Sequence, residues 1–178
     1  VAGNVPILQI VGYQNSGKTT FIEQLTERLE RLGVKAACLK HHGHGGEPDS
    51  FSEGKDSDRY LRAGAAVSGV EGAGVFQLTA RGSWTLDKLI SVYRLLSIDC
   101  LLIEGFKGAP YPKIVMARHE GDHQLIEQLE GVRAVIYQRG EPPAPRPDVQ
   151  SFHIEDPAAI SFILHHLKEE GVCLNDLS

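Results

Sequence analysis

Cysteine is scarce in this chain: Cys38, Cys100 and Cys173 are the only three in 178 residues, far apart and without a CxxC pair. An odd, dispersed set of this kind supports neither a disulfide framework nor a zinc knuckle, and a reducing cytoplasm is the expected setting. Long apolar runs are missing too. None approaches the roughly 18 residues of a membrane-spanning helix, and VAGNVPILQIVG lacks the Lys/Arg flank of a signal peptide, so a soluble, cytoplasmic protein with no membrane partner is expected. Positive charge is also in deficit. A net charge of -5 and a pI near 5.9 leave no basic field to hold a nucleic-acid backbone, and nucleic acid is not an expected partner. No internal repeat is present. The length fits a single domain over 1–178, because a domain this size buries roughly 70% of its unfolded surface without staples.

What is present is an alternation of strand and helix signals. Val5 to Val11 is a continuous apolar run broken only by Gln9, as suits a parallel strand covered on both faces. Phe21, Ile22, Leu25, Leu29 and Leu32 then recur at helical spacing, with Gly33 placed to stop the helix. Val34 to Lys40 reads as a second strand. A short helix over Asp56 to Ala63 follows, then a hairpin of 65–70 and 74–78. Thr85 is placed to cap a helix through Leu96. IDCLLIEGF (98–106), Lys113 to Arg118 and Val132 to Gln138 read as strands, and GEPPAPRP (140–147) as a surface loop because its prolines remove donors. Asp156 and Pro157 mark the start of a last helix that stops at Gly171. The pattern predicts an α/β fold: a doubly wound, mostly parallel sheet of P-loop NTPase-like architecture with one β-hairpin insertion.

Between the first strand and the first helix stands GYQNSGKTT, which matches GxxxxGK[ST] at Gly12, Gly17, Lys18 and Thr19 in the context that pattern requires. Backbone N–H groups must turn inward around a polyanion there, which glycines permit. Gly12, Tyr13, Gln14, Asn15, Ser16, Gly17, Lys18, Thr19 and Thr20 are therefore the candidate nucleotide-binding residues. Lys18 supplies a point charge for the β and γ phosphates, Thr19 a hydroxyl for Mg²⁺, and the helix N-terminus its dipole.

A magnesium triphosphate also needs a carboxylate at the end of a neighbouring strand. Asp99 and Glu104 compete, at opposite ends of one strand and about 16 Å apart. Only Glu104 can lie at the carboxyl edge. Asp56, in GKDSDR, is a further candidate for the metal through a bridging water, and equally an N-cap of the short helix after it. His41, His42 and His44 open a glycine-rich loop at the same sheet edge. A metal site there lacks HxxxH spacing and a cysteine partner, which favours a solvated or phosphate-facing loop.

GYQNSGKTT, LKHHGHG, GKDSDRYLRAGA, IEGFK (103–107) and PKIVMAR (112–118), in that order over residues 5–118, resemble the molybdopterin-guanine dinucleotide biosynthesis adaptor proteins, MobB. The resemblance implies GTP with magnesium, a homodimer, and assistance to the guanylyltransferase that attaches GMP to molybdopterin. It implies roles for Gly12 to Thr20, Asp56 and Glu104. The [NT]KxD guanine signature is absent, so guanine preference rests on the resemblance alone. Tyr13 stands where the deviant phosphate loops of partitioning ATPases carry a lysine. Weak or no GTPase activity is expected, since no residue obviously positions an attacking water. Two rival readings are a P-loop small-molecule kinase, for which Arg59, Arg62 and Arg81 are the candidate lid arginines, and an interaction module with an idle loop. Molybdopterin itself is a further candidate partner, with Lys107, Lys113 and Arg118 as cations able to receive its phosphate.

Overall fold

The computed structural model describes residues 5–43, 56–144 and 146–175. Its elements run β1 (Ile7–Gly12), α1 (Lys18–Arg31), β2 (Ala36–Lys40), α2 (Asp56–Arg62), β3 (Val67–Gly72), β4 (Val75–Ala80), α3 (Leu86–Tyr93), β5 (Cys100–Glu104), β6 (Lys113–Ala117), α4 (Gln124–Gln128), β7 (Val132–Tyr137), β8 (Gln150–His153) and α5 (Ala158–Glu169). Two compact units result, one from the described residues in 5–43 and 90–175, the other from 56–89.

The larger unit holds a six-stranded sheet in the order β2-β5-β1-β6-β7-β8, and every neighbouring pair is parallel. β1 is buried along its whole length, as an unbroken apolar run between two covered faces requires. On one face Leu8, Ile10, Leu102 and Met116 share a core with Leu25 of α1 and Ile163 of α5. On the other, Val11, Val115 and Val135 share a core with Leu125 and Ile126, which α4 contributes. The sheet is thus doubly wound, as expected. Successive strands leave first to one side of β1 and later to the other, so the carboxyl end of β1 lies at the switch point where this architecture accepts ligands. Gly33 takes φ 76° at the end of α1, a left-handed C-terminal stop that a glycine adopts without a Cβ penalty.

In the smaller unit β3 and β4 pair as an antiparallel hairpin. Ala73 and Gly74 turn it with φ 51° and 79°, the two positive values of a primed two-residue turn. Thr85 Oγ1 accepts from Lys88 N at 3.4 Å, the bond expected of a cap.

Two elements go beyond the expectation. β8 forms an edge strand directly after the proline-rich loop, and α4 is a helix of five residues. Both are too short to carry a period that a sequence window detects. α5 begins at Ala158, so Pro157 precedes it; Asp156 nevertheless caps it, its Oδ1 accepting from Ala158 N at 2.9 Å.

Past β6 the chain is clamped by a buried carboxylate. Asp122 accepts from Arg118 N at 2.9 Å and from Arg118 Nε at 3.1 Å, and His119 Nε2 lies 3.7 Å from its other oxygen. Burial alone would raise the Asp122 pKa; the hydrogen bonds and charge of Arg118 outweigh it and hold the group below its ordinary value of 3.8. A depressed folded pKa gives stability that is complete above the unfolded value and lost as pH falls through the folded one. Asp122→Asn is expected to cost about 1.5–3 kcal/mol at neutral pH and to flatten the loss of stability below about pH 4, as read by chemical denaturation across a pH series.

Candidate functional site

The site is built where α1 begins. Gly12 ends β1 against Met116 of β6, and a Cβ placed on it would meet Ser16 Oγ at 2.5 Å and Met116 O at 2.6 Å. No side chain fits there. The loop then turns through left-handed backbone at Asn15 (φ 58°) and Gly17 (φ 79°), and Gly17 stands as the N-cap of α1. Asn15 was not singled out for this conformation, although asparagine tolerates it better than most residues. Ser16 is buried, while Tyr13, Gln14, Thr19 and Thr20 are exposed. The turn leads directly into the positive end of a helix dipole, an arrangement that can hold an anion.

Lys18 folds back over this loop. Its Nζ donates to the Tyr13 carbonyl at 2.7 Å and lies 3.3 Å from Ser16 Oγ. Burial lowers its pKa from the ordinary lysine value, the Glu104 charge opposes that, and Lys107, Lys40 and Arg118 deepen it. Three further cations thus act on Lys18 against one opposing carboxylate, a local concentration of positive charge in a chain of net charge -5. Lys107 Nζ stands 4.5 Å from the centre of the Tyr13 ring, which carries the loop after β5 across to the glycine loop.

Glu104 lies at the carboxyl end of β5, opposite Ile10 of β1. Thr19 Oγ1 donates to its Oε2 at 3.1 Å. The two residues expected to flank a metal are therefore neighbours, and their oxygens are the hard donors Mg²⁺ selects. Asp99 lies at the other end of β5, where it accepts from Lys35 N at 2.7 Å. Among the described residues no group of three or more His, Cys, Asp or Glu could hold a metal ion, so phosphate oxygens and water would have to complete a shell around Thr19 and Glu104.

Asp56 opens α2 in the smaller unit, where it accepts from Arg59 Nη1 at 3.1 Å. The candidate lid arginines are engaged in the same unit: Arg59 with Asp56, Arg62 with Asp58 at 2.8 Å, and Arg81 donating to Leu61 O at 3.3 Å. His41 stacks on Phe106 with ring centroids 4.3 Å apart. His44 lies outside the described residues. Lys113, expected among the cations able to receive a phosphate, is instead 1% exposed, its Nζ donating to Ala109 O at 2.5 Å and Tyr111 O at 2.9 Å. It ties the loop before β6 to the sheet.

Sequence reasoning missed two glutamines that hold this edge together. Gln9, the polar interruption of β1, donates through Nε2 to Gly105 O at 2.9 Å and Phe106 O at 2.8 Å. Those residues have φ 96° and 51°, so the turn after Glu104 is pinned in a left-handed conformation. Gln138, just past β7, donates to Ser16 O at 2.9 Å and supports the glycine loop from below. A lone polar residue inside an apolar strand is the signal that could have found Gln9.

The profile of a family described as molybdopterin guanine dinucleotide synthesis protein B matches residues 7–138. A Bacillus subtilis (strain 168) protein described as a probable molybdopterin-guanine dinucleotide biosynthesis adapter protein is 53% identical over 166 residues, covering 93% of this chain and 95% of that one. A Haemophilus influenzae molybdopterin-guanine dinucleotide biosynthesis adapter protein is 36% identical over 134 residues, 74% of each chain. The crystal structure of Bacillus subtilis MobB superposes with a TM-score of 0.79 at 52% identity, covering 90% of this chain and 96% of that one. Gly12→Ala is expected to destabilise the domain by about 1–3 kcal/mol through the overlap with Ser16 and Met116, measured as a fall in the midpoint of urea unfolding.

Proposed function

The chain belongs to the molybdopterin guanine dinucleotide synthesis protein B (MobB) family, and from that membership we propose that it is a GTP-binding adaptor of molybdenum cofactor biosynthesis, assisting the attachment of GMP to molybdopterin. The printed names of its relatives support the adaptor role. The observation that carries nucleotide binding is the 3.1 Å bond between Thr19 and Glu104 beside a glycine loop that carries Lys18. In this reading the backbone of residues 12–20 cradles the phosphates and Lys18 leaves the Tyr13 carbonyl for the β and γ oxygens. Thr19 and Glu104 would hold a magnesium ion, with Asp56 contributing through water; the ion would supply charge neutralisation of the phosphates. The whole of 1–178 then works as one nucleotide-binding protein in the cytoplasm.

Turnover is expected to be weak, because the Gln9 and Gln138 amides at this edge are committed to carbonyls of the scaffold and do not serve to orient an attacking water. The proposed partners are the molybdopterin guanylyltransferase, molybdopterin itself, and a second copy of this chain. For the second copy, the hairpin offers an apolar face: Val67, Phe76 and Leu78 share one side of the register and are 52%, 63% and 51% exposed. A kinase reading has less support, since Arg59, Arg62 and Arg81 are held in the smaller unit's own pairs.

Titration with GTP and with ATP, each with and without magnesium, tests the proposal. GTP should bind more tightly than ATP, turnover should stay below about 1 per second, and Lys18→Ala should weaken GTP binding roughly 100-fold with an unchanged unfolding midpoint. Equal affinity of Lys18→Ala and the parent chain would refute it.

A further inference from the structure

Lys40 ends β2, and the parallel register of β2 with β5 sets it opposite Glu104. Partnered residues of neighbouring parallel strands project to the same face, so both side chains leave the sheet where Thr19 of α1 stands. One ammonium comes to rest beside two oxygens. Lys40 Nζ lies 3.3 Å from Glu104 Oε1 and 3.4 Å from Thr19 Oγ1, while the Thr19 hydroxyl donates to Glu104 Oε2 at 3.1 Å. A cation belonging to the chain therefore sits at the oxygens a magnesium ion would use.

The partners differ in freedom. The Glu104 side chain is 12% exposed and that of Lys40 is 62% exposed. His41 N donates to Glu104 O at 2.9 Å, which fixes the backbone immediately after Lys40, so its side chain alone is left to move. Space for that movement exists: a groove of about 470 Å³ lined by Thr19, Thr26, Cys38, Lys40 and Glu104 runs between α1 and β2. An ion pair with one solvated member is weak and readily exchanged.

We propose that Lys40 is a tethered counter-ion of the Thr19–Glu104 pair, competing with the divalent ion for the same oxygens. This rests on the triphosphate reading of the glycine loop. With its ammonium in place, Glu104 no longer repels an incoming polyphosphate, and a divalent ion gains those oxygens only by displacing it. Lys40 therefore has opposite effects on the two ligands: it strengthens metal-free nucleotide binding and weakens metal binding. A residue that merely contacts phosphate would raise nucleotide affinity under both conditions.

The test titrates a fluorescent GTP analogue into the parent chain, Lys40→Gln and Lys40→Arg, first in EDTA and then along a magnesium series. Lys40→Gln should weaken metal-free binding roughly fivefold and lower the magnesium concentration for half-maximal effect by a similar factor, with Lys40→Arg close to the parent. Equal losses for Lys40→Gln with and without magnesium, or no change in either, would overturn the role of Lys40 and leave the triphosphate site standing. No binding of the analogue by the parent chain, or undiminished binding by Lys18→Ala, would overturn both.

Discussion

The hydrogen bond from Thr19 to Glu104 joins residues 85 apart in sequence, and the candidate site depends on the strand register that makes it. Parallel pairing sets Glu104 of β5 opposite Ile10 of β1 and opposite Lys40 of β2. Slipping either pair by one residue would turn Glu104 to the other face, since side chains alternate along a strand. The register is enforced at the end of the buried run: Leu101, Leu102 and Ile103 are at most 1% exposed on alternating, covered faces, and a slip would draw the Glu104 carboxylate toward that interior or push Ile103 out to the edge. The chemistry at the sheet edge is thus fixed by packing in its middle.

Around that bond the chain keeps backbone in conformations that ordinary residues avoid. Asn15, Gly17, Gly105 and Phe106 all have positive φ, on the two loops that face each other across the site. Non-glycine residues hold such geometry at a cost of order 1–3 kcal/mol each, and persist in it only where neighbours over-determine it. Here the neighbours are Gln9, bonded to both carbonyls after Glu104, and Gln138, bonded to Ser16. Amide side chains from β1 and the end of β7 thus brace the loops of the site.

Much of this was legible in the residues. GxxxxGK[ST] after an apolar run placed the loop, and the 3.3 Å rise of a strand separated Glu104 from Asp99 without any coordinates. β8 was not legible, because four residues after a proline-rich loop give no alternation to count, and its strand identity comes only from pairing with β7. Lys113 was misread because a lysine in sequence looks solvated; its burial is set by β6 lying within the sheet and by two carbonyls of the preceding loop. Asp56 sits in the smaller unit and keeps its metal role as a proposal. Gln9 looked like an interruption because nothing local says which distant carbonyls an amide will meet.

Positive charge gathered at one edge of an acidic chain is the other half of the account. Lys40, Lys107 and Arg118 all act on Lys18, and Lys40 also pairs with Glu104, so this edge is suited to a bound polyanion. A crystal structure of the protein with magnesium and a non-hydrolysable GTP analogue measures this most directly. The account predicts the ion about 2.1 Å from Thr19 Oγ1, Glu104 beside it, and Lys18 Nζ moved from the Tyr13 carbonyl to the phosphates. A nucleotide bound elsewhere, with Lys18 still on that carbonyl, would contradict it.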